Sequence, residues 1–382
     1  MNRPMKNKKT PINKRLIMNR LLALAIIGTI LVASAQTMVA QKKLQPGFDK
    51  EEYTETLRMA SSFASDSFTM ASKIEEPIHF QRAYRSPVMG LENRWDLWIS
   101  NDSVAAISIR GSVAKALSWM ANFYAGMVPA QGSLTLSDTI RYKLTDNQAA
   151  AVHAGWLTAT LFLAADILPK IDSCHNAGIK DFIVTGHSQG GAISFILTTL
   201  LYQKQEEGKI PADIRFKTYC SAAPKPGNTQ FAYEYENMTR GGWAFNVVNS
   251  VDWVPETPLT VQTLNDFVAN SPFTEVKKMI SQQKKMSARI KYRYLYSQLA
   301  NPTFRSERRI EKYLGKSIGK MVEAQVKNFN QPDYFRSACY MRTGNTIILK
   351  PNELYFNSFP AVSDDKFKHH MYNAYKFLID HH

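Results

Sequence analysis

The sequence runs to 382 residues, 45% of them hydrophobic and 11% aromatic, with ordinary glycine and proline contents. This excludes a disordered or repeat-built chain and allows one large domain or two ordinary ones. The formal charge is +15, and the three cysteines (Cys174, Cys220 and Cys339) are too few and too scattered for a disulfide framework or a zinc site.

In chain order, the first segment reads as a targeting signal rather than fold. Arg3, Lys6, Lys8, Lys9, Lys14, Arg15 and Arg20 form a basic stretch without acids, and the apolar run Leu21 to Ala35 follows it. Ala33-Ser34-Ala35 supplies the small residues a signal peptidase needs. The run is short for a membrane span, so residues 1–35 are expected to be a signal peptide, with Met18 an alternative start. Its removal lowers the formal charge to +8 and places the remainder, 36–382, in the periplasm, on the outer surface or in the medium.

Asp96 to Ser100 and Val104 to Ile109 are strand-like around the turn residues Asn101-Asp102-Ser103, which predicts a hairpin. It ends in Arg110-Gly111-Ser112, by itself an ordinary turn. Its Ser112 carries an amide and a hydroxyl that can face a developing oxyanion. Further on, Asp181 to Thr185 reads as a buried strand and Gly191 to Gln205 as a helix. Gly186-His187-Ser188-Gln189-Gly190 lies at their junction. A serine hydroxyl becomes a nucleophile when it is exposed, aimed and beside a base. A sharp strand-to-helix corner presents it so, and side chains two residues to either side would collide there, hence the glycines. Ser188 is therefore the candidate nucleophile and the Gln189 backbone amide a candidate oxyanion donor.

Phe245 to Asn249 forms a further predicted strand, with Asp252 just past its C-terminal end, where the ligand-facing loops of a parallel sheet gather. From Leu264 to Asn330 the sequence is mostly helical and basic: between Lys277 and Lys327 there are fourteen Lys or Arg against three acids, with aromatics interleaved. Such a stretch is a solvated helical face or a patch that meets anionic lipid or another acidic polymer. Nucleic acid ranks below these for an exported chain. Ala338 to Phe356 reads as a hairpin turning at Gly344-Asn345. His369-His370 opens a last helix.

Taken together, these motifs resemble the class 3 lipases, the fungal-lipase-like branch of the α/β-hydrolases. Ile109 to Ser112 is similar to that family's F-R-G-T/S, Trp119 to Asn122 to its Trp-bearing helix, and Val152 to Trp156 to V-H-x-G-F. Gly186 to Gly191 matches G-H-S-L-G-G with Gln189 for Leu, Cys220 to Asn228 resembles F-G-x-P-x-x-G-N, Val248 to Pro258 resembles V-N-x-x-D-x-V-P-x-x-P, and His370 to Tyr375 gives H-x-x-x-x-Y. The likeness covers residues 90–260 well and 340–380 loosely. Residues 36–90 and 265–335 carry no matching motif.

The resemblance implies an α/β-hydrolase fold, with a mostly parallel central sheet flanked by helices; the helical basic stretch over about 264–330, which separates acid from base, is expected to be an insertion packed over or beside the active-site face before the catalytic histidine. The resemblance also implies the chain order of nucleophile, acid and base, which fits Ser188, Asp252 and His370, with Ser112 and Gln189 forming the oxyanion hole. His370 is preferred over His369 for its spacing to Tyr375. His153 and His187 are read as structural. The chemistry calls for no cofactor and no metal. The implied activity is hydrolysis of carboxylic esters of lipids through an acyl-enzyme. Residues 113–140 fall where the family carries a lid, with Leu117, Trp119, Met120, Phe123, Tyr124, Met127 and Val128 as its apolar underside; the alternative is an ordinary core helix. Two other functions stay open: a phospholipase A or lysophospholipase acting on anionic membranes through the Lys277–Lys327 segment, and a non-catalytic protein binding lipid or envelope polymer. No motif specifies acyl length, headgroup, disulfide pairing or oligomeric state.

Overall fold

The computed structural model describes residues 44–63, 74–136, 138–361 and 364–382. The leader read over residues 1–35 lies outside them. Helix α1 (Lys50–Ser61) begins where the Asp49 carboxylate accepts from the Glu51 and Glu52 N–H groups at 2.8 and 3.0 Å, satisfying two of the open donors of its first turn. Strands β1 (Phe80–Arg85), β2 (Trp95–Ser100) and β3 (Val104–Ile109) follow, then α2 (Ala116–Phe123). Four short strands, β4 (Met127–Pro129), β5 (Gln131–Thr135), β6 (Thr139–Lys143) and β7 (Ala151–His153), lead into the long α3 (Ala154–Asn176). Then β8 (Asp181–His187), α4 (Gln189–Glu206), β9 (Arg215–Ser221), α5 (Thr229–Met238) and β10 (Ala244–Asn249) alternate. The basic stretch is helical: α6 (Val276–Ser281), α7 (Met286–Ile310), a π-helical turn (Glu311–Ser317) and α8 (Ile318–Gln325). The chain closes with β11 (Asn345–Leu349), α9 (Glu353–Ser358) and α10 (Tyr372–Asp380).

The central sheet has the order β1-β2-β3-β8-β9-β10-β11. The β1–β2 and β2–β3 pairs are antiparallel, whereas β3, β8, β9, β10 and β11 run parallel. This is the mostly parallel, helix-flanked sheet expected of an α/β-hydrolase. Side-chain alternation divides its two faces. Phe182 and Val184 of β8, with Ala105, Ile107 and Ile109 of β3, pack under α3 and α4. Ile183, with Val104 and Ala106, faces α1 and α10 on the other side. With both faces covered, the parallel strands are near-continuous apolar runs rather than alternating ones.

Two expectations need correction. Ala338 to Phe356 is not a hairpin. Only Asn345–Leu349 is a strand, and it adds in parallel to the open edge of β10, while Ala338 and Met341 make single bridges to Val261 and Gly227. Gly344 does turn the chain, with φ +82°, but Asn352 then caps α9 by accepting from the Tyr355 N–H at 2.9 Å, so no return strand forms. The last helix also starts later than His369-His370, at Tyr372, which leaves both histidines in the turn ahead of it. Cys174, Cys220 and Cys339 are all free and buried.

Candidate active site

The junction of β8 and α4 is built as the glycines require. A Cβ on Gly186 would lie 2.3 Å from the Gly190 carbonyl carbon, and one on Gly190 would lie 2.3 Å from the Ile109 oxygen. The chain therefore folds back tightly at a corner that larger residues cannot enter. Ser188 occupies that corner with φ 60° and ψ −129°, a conformation an L-residue adopts only at a cost of about 1–3 kcal/mol when its surroundings impose it. Its N–H is held by the Ser221 carbonyl at 2.9 Å. Gln189 opens α4, so its own N–H has no carbonyl a turn behind it to reach.

Ser112 follows β3, beside β8 in the sheet, and is brought to Gln189. Its hydroxyl donates to Gln189 Oε1 at 2.8 Å and accepts from Asn122 Nδ2 at 2.8 Å. The hydroxyl's one proton is thus engaged, which leaves the backbone N–H as the group Ser112 can offer an oxyanion. Gln189 was singled out only for its amide, yet its side chain ties Ser112 to the corner, and its Nε2 reaches Asn93 Oδ1 at 3.4 Å. Asn122 adds a further link by accepting from Trp156 Nε1 at 3.1 Å.

Asp252 lies past β10, 3% exposed. Its Oδ2 accepts from His370 Nδ1 at 2.7 Å and from the Tyr375 hydroxyl at 2.8 Å, while Oδ1 accepts from the Val254 N–H at 3.0 Å. Burial, then the neighbouring carboxylate, pushes the Tyr375 phenol well above its usual range, so it stays a donor. With Nδ1 on Asp252, Nε2 is the ring atom of His370 left for proton transfer. His369 is turned away: its Nδ1 pairs with the Tyr355 hydroxyl at 2.7 Å and its carbonyl accepts from Asn249 Nδ2 at 2.9 Å.

Ser188 and His370 are not hydrogen-bonded to each other. They are joined through the residue beside the serine, because His187 Nε2 donates to the His370 carbonyl at 2.7 Å and the two rings lie 4.8 Å apart. His187 Nδ1 faces Ser221 Oγ at 3.0 Å, and Ser221 Oγ in turn meets the Tyr53 hydroxyl at 2.8 Å. Burial foremost, then the nearby His370, lowers the His187 pKa to about 3, so this ring is neutral and its tautomer is fixed by the carbonyl it serves.

A cleft of about 310 Å³ opens at Ser188, Gln189 and Ser112. Its walls are mainly apolar: Trp119, Phe123, Trp156, Pro224, Trp253, Leu259, Leu314 and Phe367. From the region 113–140, Trp119, Asn122, Phe123 and Ala125 line it, whereas Tyr124, Met127 and Val128 are core residues and Leu117 and Met120 pack against the core. Asn122, Asn93, Tyr375 and Ser221 support the candidate groups without being read as site residues from sequence. Three of them, Asn122, Ser221 and Tyr375, stand in quoted motifs, but the motifs do not show which groups they meet: Asn122 reaches Ser112 ten residues back, whereas Tyr375 and Ser221 meet partners more than a hundred residues away.

Residues 106–262 match the family model for lipase (class 3). Among curated proteins, the chain is 28% identical over 176 residues to "Secreted mono- and diacylglycerol lipase 1" of Fusarium solani, covering 45% of each chain. It is 35% identical over 108 residues to "Secreted mono- and diacylglycerol lipase 3" of Gibberella zeae, covering 28% of this chain and 32% of that one. It is 26% identical over 185 residues to "Toxin TseL" of Vibrio cholerae, covering 42% and 27%. The chain thus spans less than half the length of these relatives. Among solved structures it resembles lipase II from Rhizopus niveus, with a TM-score of 0.39 and 22% identity, over 55% of this chain and 74% of that one.

Proposed function

We propose, for a chain whose residues 106–262 match the family model for lipase (class 3), an exported serine hydrolase that cleaves carboxylic esters of lipids. His370 takes the proton of Ser188 Oγ, which attacks the ester carbonyl. The Gln189 and Ser112 backbone N–H groups receive the oxyanion, and Asp252 holds the His370 tautomer and offsets the imidazolium charge. The alcohol leaves with the proton from His370, and water then releases the acyl group by the same route. Two matched relatives are named as secreted mono- and diacylglycerol lipases, in keeping with export and with a lipid ester as substrate.

The observation that carries this reading is the Ser188 backbone, φ 60° and ψ −129°. A protein that only bound lipid would gain nothing from holding a serine in that conformation, so a non-catalytic role is disfavoured. The test is labelling with a fluorophosphonate probe. Wild type is expected to be labelled and Ser188→Ala unlabelled; an unlabelled wild type sinks the proposal. A second reading, cleavage of phospholipid acyl esters, is favoured by the basic stretch 277–327. Comparing release of fatty acid from triacylglycerol emulsions and from phosphatidylglycerol vesicles separates the two.

A further inference from the structure

Residues 276–306 contain eight Lys or Arg and no Asp or Glu. They form α6 and the larger part of α7, of which Ala300 alone is buried. The inner side of α7, with Tyr292, Tyr296 and Thr303, turns into an apolar groove of about 540 Å³ against residues 262–283. The outer side is left bare. Met286, Ile290 and Tyr294 recur every four residues and are 65%, 63% and 63% exposed, which puts them in one stripe on a 3.6-residue helix. On the same helical wheel Arg293 flanks one edge of this stripe and Lys291 the other, while Lys284 and Lys285 lie just before the helix. Among the described residues these four cations make no ion pair. The nearest pair on α6, Lys278 with Glu275, is exposed and loose at 3.7 Å.

An exposed apolar stripe is costly in water, and an unneutralised cluster of cations repels itself. Both are relieved on a surface whose interior is apolar and whose face is negative. We infer that the outer face of α7 is a docking surface for an anionic phospholipid bilayer: Met286, Ile290 and Tyr294 enter the acyl–headgroup boundary, and Lys284, Lys285, Lys291 and Arg293 meet the lipid phosphates. The segment is tied to the acyl cleft at both ends, since Leu259, ahead of it, and Leu314, after it, line that cleft. The stripe itself precedes Leu314 by twenty or more residues, on the order of 30–40 Å of helix. Docking and bond cleavage are therefore separable. The inference rests on the hydrolase reading only for its purpose, since membrane binding needs no active serine.

The experiment uses the whole chain and sucrose-loaded vesicles of phosphatidylcholine alone or with about a third phosphatidylglycerol, sedimented at low and high salt. Wild type and Ser188→Ala are expected to bind the anionic vesicles at least tenfold more tightly than the neutral ones, with the difference shrinking at high salt. Changing Lys284, Lys285, Lys291 and Arg293 together to Gln is expected to abolish that preference, and Ile290→Glu with Tyr294→Glu to weaken binding to both vesicles. In each variant the thermal midpoint and p-nitrophenyl butyrate hydrolysis stay at the wild-type level. Equal binding to neutral and anionic vesicles, wild-type binding by the four-Gln variant, or capture by soluble polyphosphate in place of vesicles overturns the inference. Loss of fluorophosphonate labelling with anionic binding intact would remove the hydrolase and leave the docking surface in place.

Discussion

Fully buried at the head of α3, the His153 ring is committed on both nitrogens. Nε2 donates to the Asn122 carbonyl at 3.1 Å, and Nδ1 accepts from the Trp156 N–H at 3.4 Å, capping the helix. The ring also stacks on Trp156 with centroids 3.6 Å apart. A second proton would occupy the lone pair that serves the cap and would place an unpaired charge in the core. Burial accordingly lowers its pKa to about 3. The unfolded chain binds that proton near the ordinary histidine value of about 6.5, so this group's contribution is complete above that pH and is lost as pH falls toward 3. The loss is about 1.4 kcal/mol per pH unit, or about 2 kcal/mol at pH 5. Urea unfolding at pH 7.5 and pH 5 should show this decrement in wild type and a smaller one in His153→Gln, the difference between the two isolating the ring from other titrating groups. Equal decrements would mean that His153 is protonated without penalty. From sequence His153 reads as structural, but the chain Asn122, Ser112, Gln189 that it supports takes steps of 31, 10 and 77 residues and has no local signature.

The elements with strong local signals were legible, and those defined by a distant partner were not. The hairpin at 96–109 and the corner at Ser188 follow from turn residues and periodicity within a dozen positions. The stretch 338–356 carries an equally good Gly-Asn turn signal, but β10 offers an open parallel edge that the local sequence cannot reveal. The π-helical turn between α7 and α8 is another such case. It presents the Leu314 carbonyl to the Gly126 N–H at 3.1 Å and places the Leu314 side chain in the wall of the acyl cleft. The basic helical stretch, which lies beyond the family-matched segment 106–262, thus helps to line the cleft at the candidate nucleophile Ser188. Leu314→Ala lengthens the space open to an acyl chain and Leu314→Trp shortens it. Removing or adding a few methylene-sized groups at such a wall should move relative kcat/KM between butyrate and laurate esters by roughly tenfold, in opposite directions for the two variants. A chain-length profile unchanged in both would show that the acyl chain leaves by another route.

Across the whole molecule, the candidate catalytic loop depends on a helix that no motif announced. α1 lies under the sheet beside α10, and its Tyr53 hydroxyl reaches Ser221 Oγ at the end of β9, 168 residues away. Ser221 Oγ meets His187 Nδ1 on the serine corner, and His187 Nε2 meets the carbonyl of His370, 183 residues on. Donor and acceptor rules give this relay one direction. A carbonyl can only accept, so Nε2 carries the His187 proton. The neutral ring must then accept at Nδ1, so Ser221 donates there and Tyr53 donates to Ser221. The two hydroxyls are therefore not equivalent. Tyr53→Phe removes one donor from an oxygen that keeps its own donation, at a cost of about 0.5–1.5 kcal/mol. Ser221→Ala leaves the buried Nδ1 without a donor, at a cost of about 1–3 kcal/mol, and lets the ring take the other tautomer, which releases the His370 carbonyl. Stability should fall more for Ser221→Ala than for Tyr53→Phe, and kcat on a soluble ester should fall roughly tenfold in the serine variant while changing little in the tyrosine variant. If Tyr53→Phe were the more damaging of the two, the relay would run the other way and His187 would not be what holds the His370 loop in place.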